Sequence, residues 1–196
     1  MGKDIDAIPA RFADGVDVGR LRWESPKLTF RGQTRRVFEG EALKGLAADG
    51  GDLVLADGSR FTLGEVQAPR WAQAVLNPPG RLDKLGVKAG MKVAILGLDD
   101  PDFATELAGR ASVSNEFSEL DILFFAADSA ENLARISELI PMLTGPGALW
   151  IVSLKGKLLR IKDVEVMAAA KAHGLVDNKV CAFSDTRTAL RFTRRR

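Results

Sequence analysis

The pattern of hydrophobic and polar positions in the first third of the chain has a period of two. Residues 20–24 and 27–31 alternate between apolar and polar side chains, with a Ser-Pro turn between them. Residues 52–55 and 60–63 flank the turn Ala56-Asp57-Gly58-Ser59, which is a strong hairpin signal. Short alternating segments separated by turns predict a small antiparallel sheet. The first fifteen residues show no constant period, and we expect them to form a mobile arm.

A proline pair marks the end of this β-rich part. The segment from Val66 to Leu76 has helical spacing, and Asn77-Pro78-Pro79-Gly80 follows it. Proline lacks a backbone donor and disfavours helix at the preceding residue, so the helix must stop there. We therefore predict a β-rich N-terminal module over residues 16–76 and a second domain over residues 81–196.

Continuous apolar runs replace the alternation in the second domain. Such runs predict strands buried on both faces, at residues 93–96, 121–127 and 148–154. Segments of helical spacing separate them, at residues 101–110, 129–143 and 163–173. Strands that alternate with helices predict a parallel sheet. Six strand residues are expected to be almost fully buried: Val93, Ile95, Ile122, Phe124, Leu149 and Ile151.

The last two predicted strands differ from the others because only three residues join them. Residues 179–184 and 188–193 flank Asp185-Thr186-Arg187, and so short a connection makes the pair antiparallel. The predicted fold class is therefore α/β, with a Rossmann-like, mostly parallel sheet that ends in an antiparallel hairpin. A small antiparallel β module precedes it.

Three segments carry a resemblance to a known family. They are KLGVKAGMKVAILG, GPGALWIVSLKGK and GLVDNKVCAFSDTRTALRF, of which the stretch Gly174-Leu175-Val176-Asp177 is the most specific. Over residues 81–196 the chain resembles a bacterial domain family of unknown function with a class I methyltransferase-like fold. The resemblance implies this fold and no established activity.

The same resemblance directs attention to the loop after the first predicted strand of this domain. In methyltransferases that loop is glycine-rich and an acid after the second strand binds the cofactor ribose, which points to Gly97, Asp99, Asp100 and Glu116 as cofactor-binding residues. Here, however, the loop holds one glycine and several aspartates, which do not suit a phosphate. We therefore expect no cofactor, with S-adenosylmethionine as the alternative.

Few other residues in the chain are candidates for catalysis or for binding a ligand or metal. Lys155 and Lys157 follow the strand at residues 148–154, at the sheet edge where α/β proteins bind ligands, and they form either an anion-binding pair or a solvated loop. The chain has one cysteine, Cys181, one histidine, His173, and no tyrosine. Neither a metal site nor a catalytic triad can be assembled from this set, so we predict no catalytic residue and no metal.

Composition limits the partners and the compartment. The 196 residues carry a formal net charge of +2, and no apolar run is long enough for a membrane helix. Arginines interleave with Trp23, Phe30 and Phe38 in the N-terminal module, but alternation sends the two kinds of side chain to opposite faces. Nucleic acid is therefore disfavoured, no membrane partner is expected, and a homo-oligomer stays open. A cytoplasmic location follows from the lone cysteine.

These observations lead to one main interpretation and two alternatives. The main interpretation is a non-catalytic binding or scaffold module without an intact cofactor loop. The first alternative is a divergent S-adenosylmethionine-dependent methyltransferase, and the second is nucleic-acid binding through the N-terminal β module.

Overall fold

The computed structural model describes residues 2–195, and the described chain divides between Gly80 and Arg81 into two compact units. Residue 196, where the predicted second domain ends, lies outside the described residues. Among the described residues, no helix is both long enough and apolar enough to cross a bilayer.

The first unit is an antiparallel sheet with one helix. Its elements are β1 (Lys3–Phe12), β2 (Gly15–Glu24), β3 (Lys27–Arg31), β4 (Arg35–Phe38), a 3-10 turn (Gly40–Leu43), β5 (Ala47–Asp49), β6 (Asp52–Val54), β7 (Arg60–Thr62) and α1 (Gln67–Leu76). The strand order is β4-β3-β2-β1-β7-β6-β5. The predicted antiparallel module, its hairpin between β6 and β7 and the end of α1 before the proline pair are all present.

The first strand corrects the prediction of a mobile N-terminal arm. β1 lies at the centre of the sheet, where it pairs with β2 on one side and β7 on the other. Its buried residues Ile8, Ala10 and Phe12 do alternate. A bulge between Ile5 and Ile8 shifts the phase of that alternation, so the strand shows no constant period over its length.

The core of the first unit is aromatic. The rings of Phe12, Phe30, Phe38 and Phe61 lie with centroids 5.3–5.8 Å apart, mostly edge to face. Trp71 of α1 is also buried in this core. Every ring that alternation predicts to point inward therefore does so. The opposite face of β2, β3 and β4 carries most of their charged residues, and Arg36 is an exception, because its guanidinium lies 4.1 Å from the Phe12 ring centroid.

The second unit contains the Rossmann-like sheet. Its elements are α2 (Arg81–Leu85), β8 (Lys92–Leu96), α3 (Pro101–Ala108), β9 (Ser112–Val113), β10 (Leu120–Ala126), α4 (Ala130–Ala134), α5 (Ile136–Leu139), a 3-10 turn (Ile140–Met142), β11 (Leu143–Leu154), a 3-10 turn (Gly156–Leu158), α6 (Asp163–Ala172), β12 (Leu175–Ala182) and β13 (Arg187–Arg194).

The strand order confirms the predicted fold class. It is β12-β13-β11-β10-β8-β9, with β9, β8, β10 and β11 parallel and β13 antiparallel to both of its neighbours. Successive β10 residues alternate between two cores: Phe124 joins α2 and α3, while Leu123 joins α4, α5 and α6. The continuous apolar run at β10 arises because both faces of the sheet are covered.

Three local predictions in this unit are wrong. The helix expected at residues 129–143 is broken near Arg135 into α4 and α5. Gly145-Pro146-Gly147 does not end a helix but lies inside β11, where an irregularity in the pairing with β10 accommodates it. Ile95 is only partly buried, unlike the other five predicted core residues. The reason is that β9 pairs only with Lys92 and Val93, which leaves the end of β8 uncovered.

Candidate functional site

The second unit has a topological switch point between β8 and β10. From β8 the chain moves outward to β9, then returns to place β10 on the other side of β8. In open α/β sheets, ligands bind at such a point, outside the carboxyl ends of the strands. Here the loops that follow are residues 97–100 after β8 and residues 127–129 after β10. We call these two loops, with the end of β11, the carboxyl-edge site.

Backbone is accessible at the start of the first loop. Gly97 has a φ of +70°, a conformation that side chains disfavour, and a Cβ placed there would have only the Ala126 Cβ nearby, at 3.9 Å. The neighbouring apolar side chains Ile95, Leu96 and Leu98 are partly exposed. The loop therefore combines an open peptide backbone with a small apolar surface.

The two predicted aspartates of this loop have different surroundings. Asp100 caps α3 by accepting a hydrogen bond from the Phe103 amide at 2.8 Å, and it also accepts one from Arg81 at 3.0 Å. Asp99 is exposed, and its side chain makes no hydrogen bond or ion pair with any described residue. Asp100 therefore shapes the loop, while Asp99 is available to a ligand.

Arg81 anchors the end of the Gly97 loop through its contact with Asp100. Its guanidinium lies 5.0 Å from the Phe103 ring centroid and 5.3 Å from that of Phe183, and it donates hydrogen bonds to Glu106 as well as to Asp100. Stacking and paired hydrogen bonds together restrict a long side chain to one geometry. The end of the Gly97 loop is consequently anchored to α2 and α3.

Asp128 connects the second loop to the neighbouring strands, although the sequence interpretation did not single it out. One carboxylate oxygen accepts the Leu154 amide hydrogen at 2.8 Å, and the other accepts a hydrogen bond from Arg187 at 3.0 Å. The Asp128 and Arg187 side chains are only 23% and 22% exposed. The available signal was its position directly after a buried strand and before the Ser129 helix cap.

The structure does not bring Glu116 to the Gly97 loop. β9 ends level with Val93, three residues before the end of β8, and the chain then turns at Ser114. The Glu116 carboxylate lies 3.9 Å from the Lys92 Nζ, at the amino-terminal end of β8. The predicted ribose-binding acid is therefore separated from Gly97 by the length of the strand.

Lys155 and Lys157 follow β11 at the carboxyl edge. The Lys155 backbone donates a hydrogen bond to the Thr186 carbonyl, and Lys157 lies in the 3-10 turn that follows. Neither ammonium group has a partner among the described residues. Their role as an anion-binding pair stays a prediction. The described residues also contain no cluster of three or more histidine, cysteine or acidic side chains suited to a metal.

Cys181 is the buried thiol of the second unit. Its Sγ donates to the Lys84 carbonyl at 3.4 Å, and burial raises the pKa of the thiol. Because the thiolate is the reactive form, we expect a small thiol reagent at pH 8 to label the folded protein at least about tenfold more slowly than the unfolded chain. The control C181A/A182C moves the thiol to an exposed neighbour and should react rapidly while folded. Equal rates for both proteins would contradict the buried position.

Comparisons with known proteins find similar structures but no similar sequence family. Neither protein-family models nor curated proteins match the sequence. Among solved structures, a TehB-like SAM-dependent methyltransferase from Corynebacterium glutamicum is 14% identical, with a TM-score of 0.40, and the match covers 67% of this chain and 97% of that one. A SAM-dependent methyltransferase from Aquifex aeolicus is 16% identical, with a TM-score of 0.44 and coverages of 60% and 94%.

A third similar structure contains the cofactor. It is the magnesium protoporphyrin IX methyltransferase from Synechocystis with bound SAM, 13% identical, with a TM-score of 0.40 and coverages of 58% and 74%. The likeness to all three is one of fold. By its own strand order, the second unit is a Rossmann-like α/β domain.

These comparisons correct two predictions. The similar structures are named as SAM-dependent methyltransferases, and one holds SAM, so they contradict the interpretation as a non-catalytic module and the expectation of no cofactor. The alternative that the sequence left open, a divergent S-adenosylmethionine-dependent methyltransferase, is the one they favour. The expectation of no cofactor rested on the repulsion between these aspartates and a phosphate group. S-adenosylmethionine has no phosphate, so that repulsion does not apply to it.

Proposed function

We propose that the second unit is a divergent S-adenosylmethionine-dependent methyltransferase whose cofactor binds at the carboxyl-edge site. The observation that carries the proposal is the open, acidic Gly97 loop at the switch point between β8 and β10. A ligand at that point contacts the loops after both strands, as ligands in open α/β sheets do.

The residues at this point fit the chemistry of the cofactor. S-adenosylmethionine carries a positive sulfonium and a positive amino group, so the carboxylate of Asp99 attracts it. The backbone at Gly97 is open to close approach, and the partly exposed Ile95, Leu96 and Leu98 provide apolar surface for the adenine ring. Glu116 is not part of this fit. When bound, the cofactor would supply an electrophilic methyl group, and the residues of this chain would orient it.

A calorimetric titration of the full chain with S-adenosylmethionine tests the proposal. We expect a dissociation constant below 1 mM, that is, more than about 4 kcal/mol of binding free energy. Asp99→Asn should weaken binding about fivefold, because a charge pair at 4 Å in water contributes about 1 kcal/mol. Asp102 is a matched control, since it is an exposed aspartate in the first turn of α3, and Asp102→Asn should leave binding unchanged.

Two results would count against this function. One is the absence of any binding heat with 1 mM S-adenosylmethionine, at a protein concentration high enough to detect a dissociation constant below 1 mM. The other is an equal loss of affinity in the Asp99 and Asp102 variants, which would indicate attraction by the general charge of the region and not by the loop.

We also propose that the chain belongs to the bacterial domain family that its C-terminal segments resemble, and that it works in the cytoplasm. The segment Gly174-Leu175-Val176-Asp177 supports the first statement, and the free thiol of Cys181 supports the second. Detection of the native protein in a fractionated bacterial lysate would test the compartment.

A further inference from the structure

The outer face of the first unit carries a positively charged groove. It occupies about 390 Å³ over β2, β3 and β4, and five basic side chains line it together with a single acid, Glu24. We call this the arginine groove and define it by the residues Arg20, Arg22, Lys27, Arg31 and Arg35. The first unit contains similar numbers of acids and bases overall, so the groove is a local concentration of charge.

The strand register places like charges directly opposite one another. Arg20 lies opposite Arg31 in the β2–β3 pair, and Arg31 lies opposite Arg35 in the β3–β4 pair. Like charges at directly opposed positions destabilise a sheet. Three guanidinium groups in a row across three strands therefore cost stability unless a counter-charge approaches them.

The protein supplies that counter-charge to only part of the groove. Arg20 forms an ion pair with Asp4, Arg22 with Glu24 at 2.8 Å, and Lys27 with Glu39 at 3.1 Å. The side chains of Arg31 and Arg35 have no partner among the described residues. One end of the groove is consequently left with two adjacent, unneutralised guanidinium groups.

The shape of these groups indicates which anion fits. A guanidinium is a planar fork of donors that binds a phosphate through two parallel hydrogen bonds. Side chains on the same face repeat at about 6.8 Å along a strand and at about 4.8 Å across strands. Arg31 and Arg35 are neighbours across β3 and β4, so their two guanidinium groups can bind one phosphate together or two successive phosphates of one strand.

Aromatic side chains cannot contribute to base stacking on this face. Trp23, Phe30 and Phe38 are buried beneath the sheet, so no ring is available to a base. A membrane surface is disfavoured as well, because an interfacial protein needs apolar side chains to insert, and Pro26 is the only apolar residue that lines the groove. What the groove offers is contact to phosphates alone.

We propose that the arginine groove binds the phosphodiester backbone of a single-stranded nucleic acid without reading its bases. This function is separate from cofactor binding, since it uses residues of the first unit only. Affinity would depend strongly on salt, because each phosphate neutralised by a guanidinium releases a counterion.

Fluorescence anisotropy with a labelled twelve-nucleotide uridine RNA and the full chain tests the proposal. We expect binding at 50 mM salt and a loss of at least about tenfold in affinity for Arg31→Gln/Arg35→Gln, with a salt slope reduced by about 1.4 for two lost phosphate contacts. The control is Arg11→Gln/Arg70→Gln, which removes two exposed arginines of the same unit outside the groove, and it should change affinity less than threefold.

The groove variant is expected to fold, because removing two opposed charges relieves repulsion, and a cooperative melting curve with an equal or higher midpoint checks this. The proposal is overturned if the RNA does not bind at 50 mM salt or if the control loses as much affinity as the groove variant. It is also overturned if a polyglutamate peptide or phosphatidylserine vesicles bind through Arg31 and Arg35 more tightly than the RNA. Titration of the groove variant with S-adenosylmethionine distinguishes this proposal from that of the methyltransferase. The variant should bind the cofactor as the parent protein does, whether or not it binds RNA.

Discussion

Replacing Trp150 with alanine is expected to lower the free energy of unfolding of the second unit by about 3–5 kcal/mol, the usual cost of truncating a large buried aromatic residue. Trp150 lies in β11 and is fully buried, with its ring stacked near that of Phe124 at a centroid distance of 6.4 Å. Its indole Nε1 also donates a hydrogen bond to the Leu85 carbonyl at 3.1 Å. The change therefore creates a cavity and leaves a buried carbonyl unpaired.

Urea denaturation followed by circular dichroism measures this effect, and two variants separate its causes. Trp150→Phe keeps an aromatic ring in the core but loses the hydrogen bond and part of the indole volume, so it should cost less than Trp150→Ala, about 1–3 kcal/mol. Val164→Ala changes a side chain that is 66% exposed and should stay within about 0.5 kcal/mol of the parent. A loss below about 1 kcal/mol for Trp150→Ala would mean that β11 is not a core strand.

The parts of the fold that were predictable are those where one physical cause sets the pattern. β8, β10 and β11 are covered on both faces, and this produces uninterrupted apolar runs that the sequence displays directly. The hairpin of β6 and β7 follows from its Asp-Gly turn, and the antiparallel end of the sheet follows from the short connection, residues 183–186, that joins β12 and β13. Local chemistry was sufficient in each case.

The parts that failed depend on irregular pairing, which sequence periodicity does not reveal. In β1, a bulge changes which residues face the core and so conceals the strand. In β11, Gly147 is buried where a Cβ would lie 2.7 Å from the Leu120 carbonyl oxygen, so the glycine serves a close backbone approach and not a helix end. Glycine and proline occur both at helix ends and at irregular positions within strands. Only the pairing with the partner strand distinguishes the two cases.

The candidate site was predictable in part for a related reason. The loop after β8 could be located because it follows the clearest strand of the chain, and its Gly97 and Asp99 are open to solvent. Glu116 was chosen as the acid that follows the second strand, but β9 pairs with only two residues of β8 and ends far from Gly97. Asp128 was missed because its two partners, Leu154 and Arg187, are distant in sequence.

Replacing Asp128 is expected to cause the second large loss of stability, because its carboxylate connects the ends of β10, β11 and β13 by hydrogen bonds. Asp128→Ala removes the acceptor of the Leu154 amide and leaves the Arg187 guanidinium, which is only 22% exposed, without its counter-charge. Hydrogen bonds to charged groups contribute about 1.5–3 kcal/mol each, and partial exposure reduces the contribution of the ion pair. We therefore expect a loss of about 2–4 kcal/mol in the free energy of unfolding.

A double-mutant cycle separates the ion pair from the amide contact. Asp128→Asn retains an oxygen for the Leu154 amide but not the charge, so it should cost about half as much as Asp128→Ala. Combining Asp128→Ala with Arg187→Ala should give a coupling energy of about 1–2 kcal/mol, because the two side chains are in direct contact at 3.0 Å. If the single losses simply add, then Asp128 stabilises the loop through the Leu154 amide alone, and Arg187 is not what fixes its orientation at the carboxyl edge.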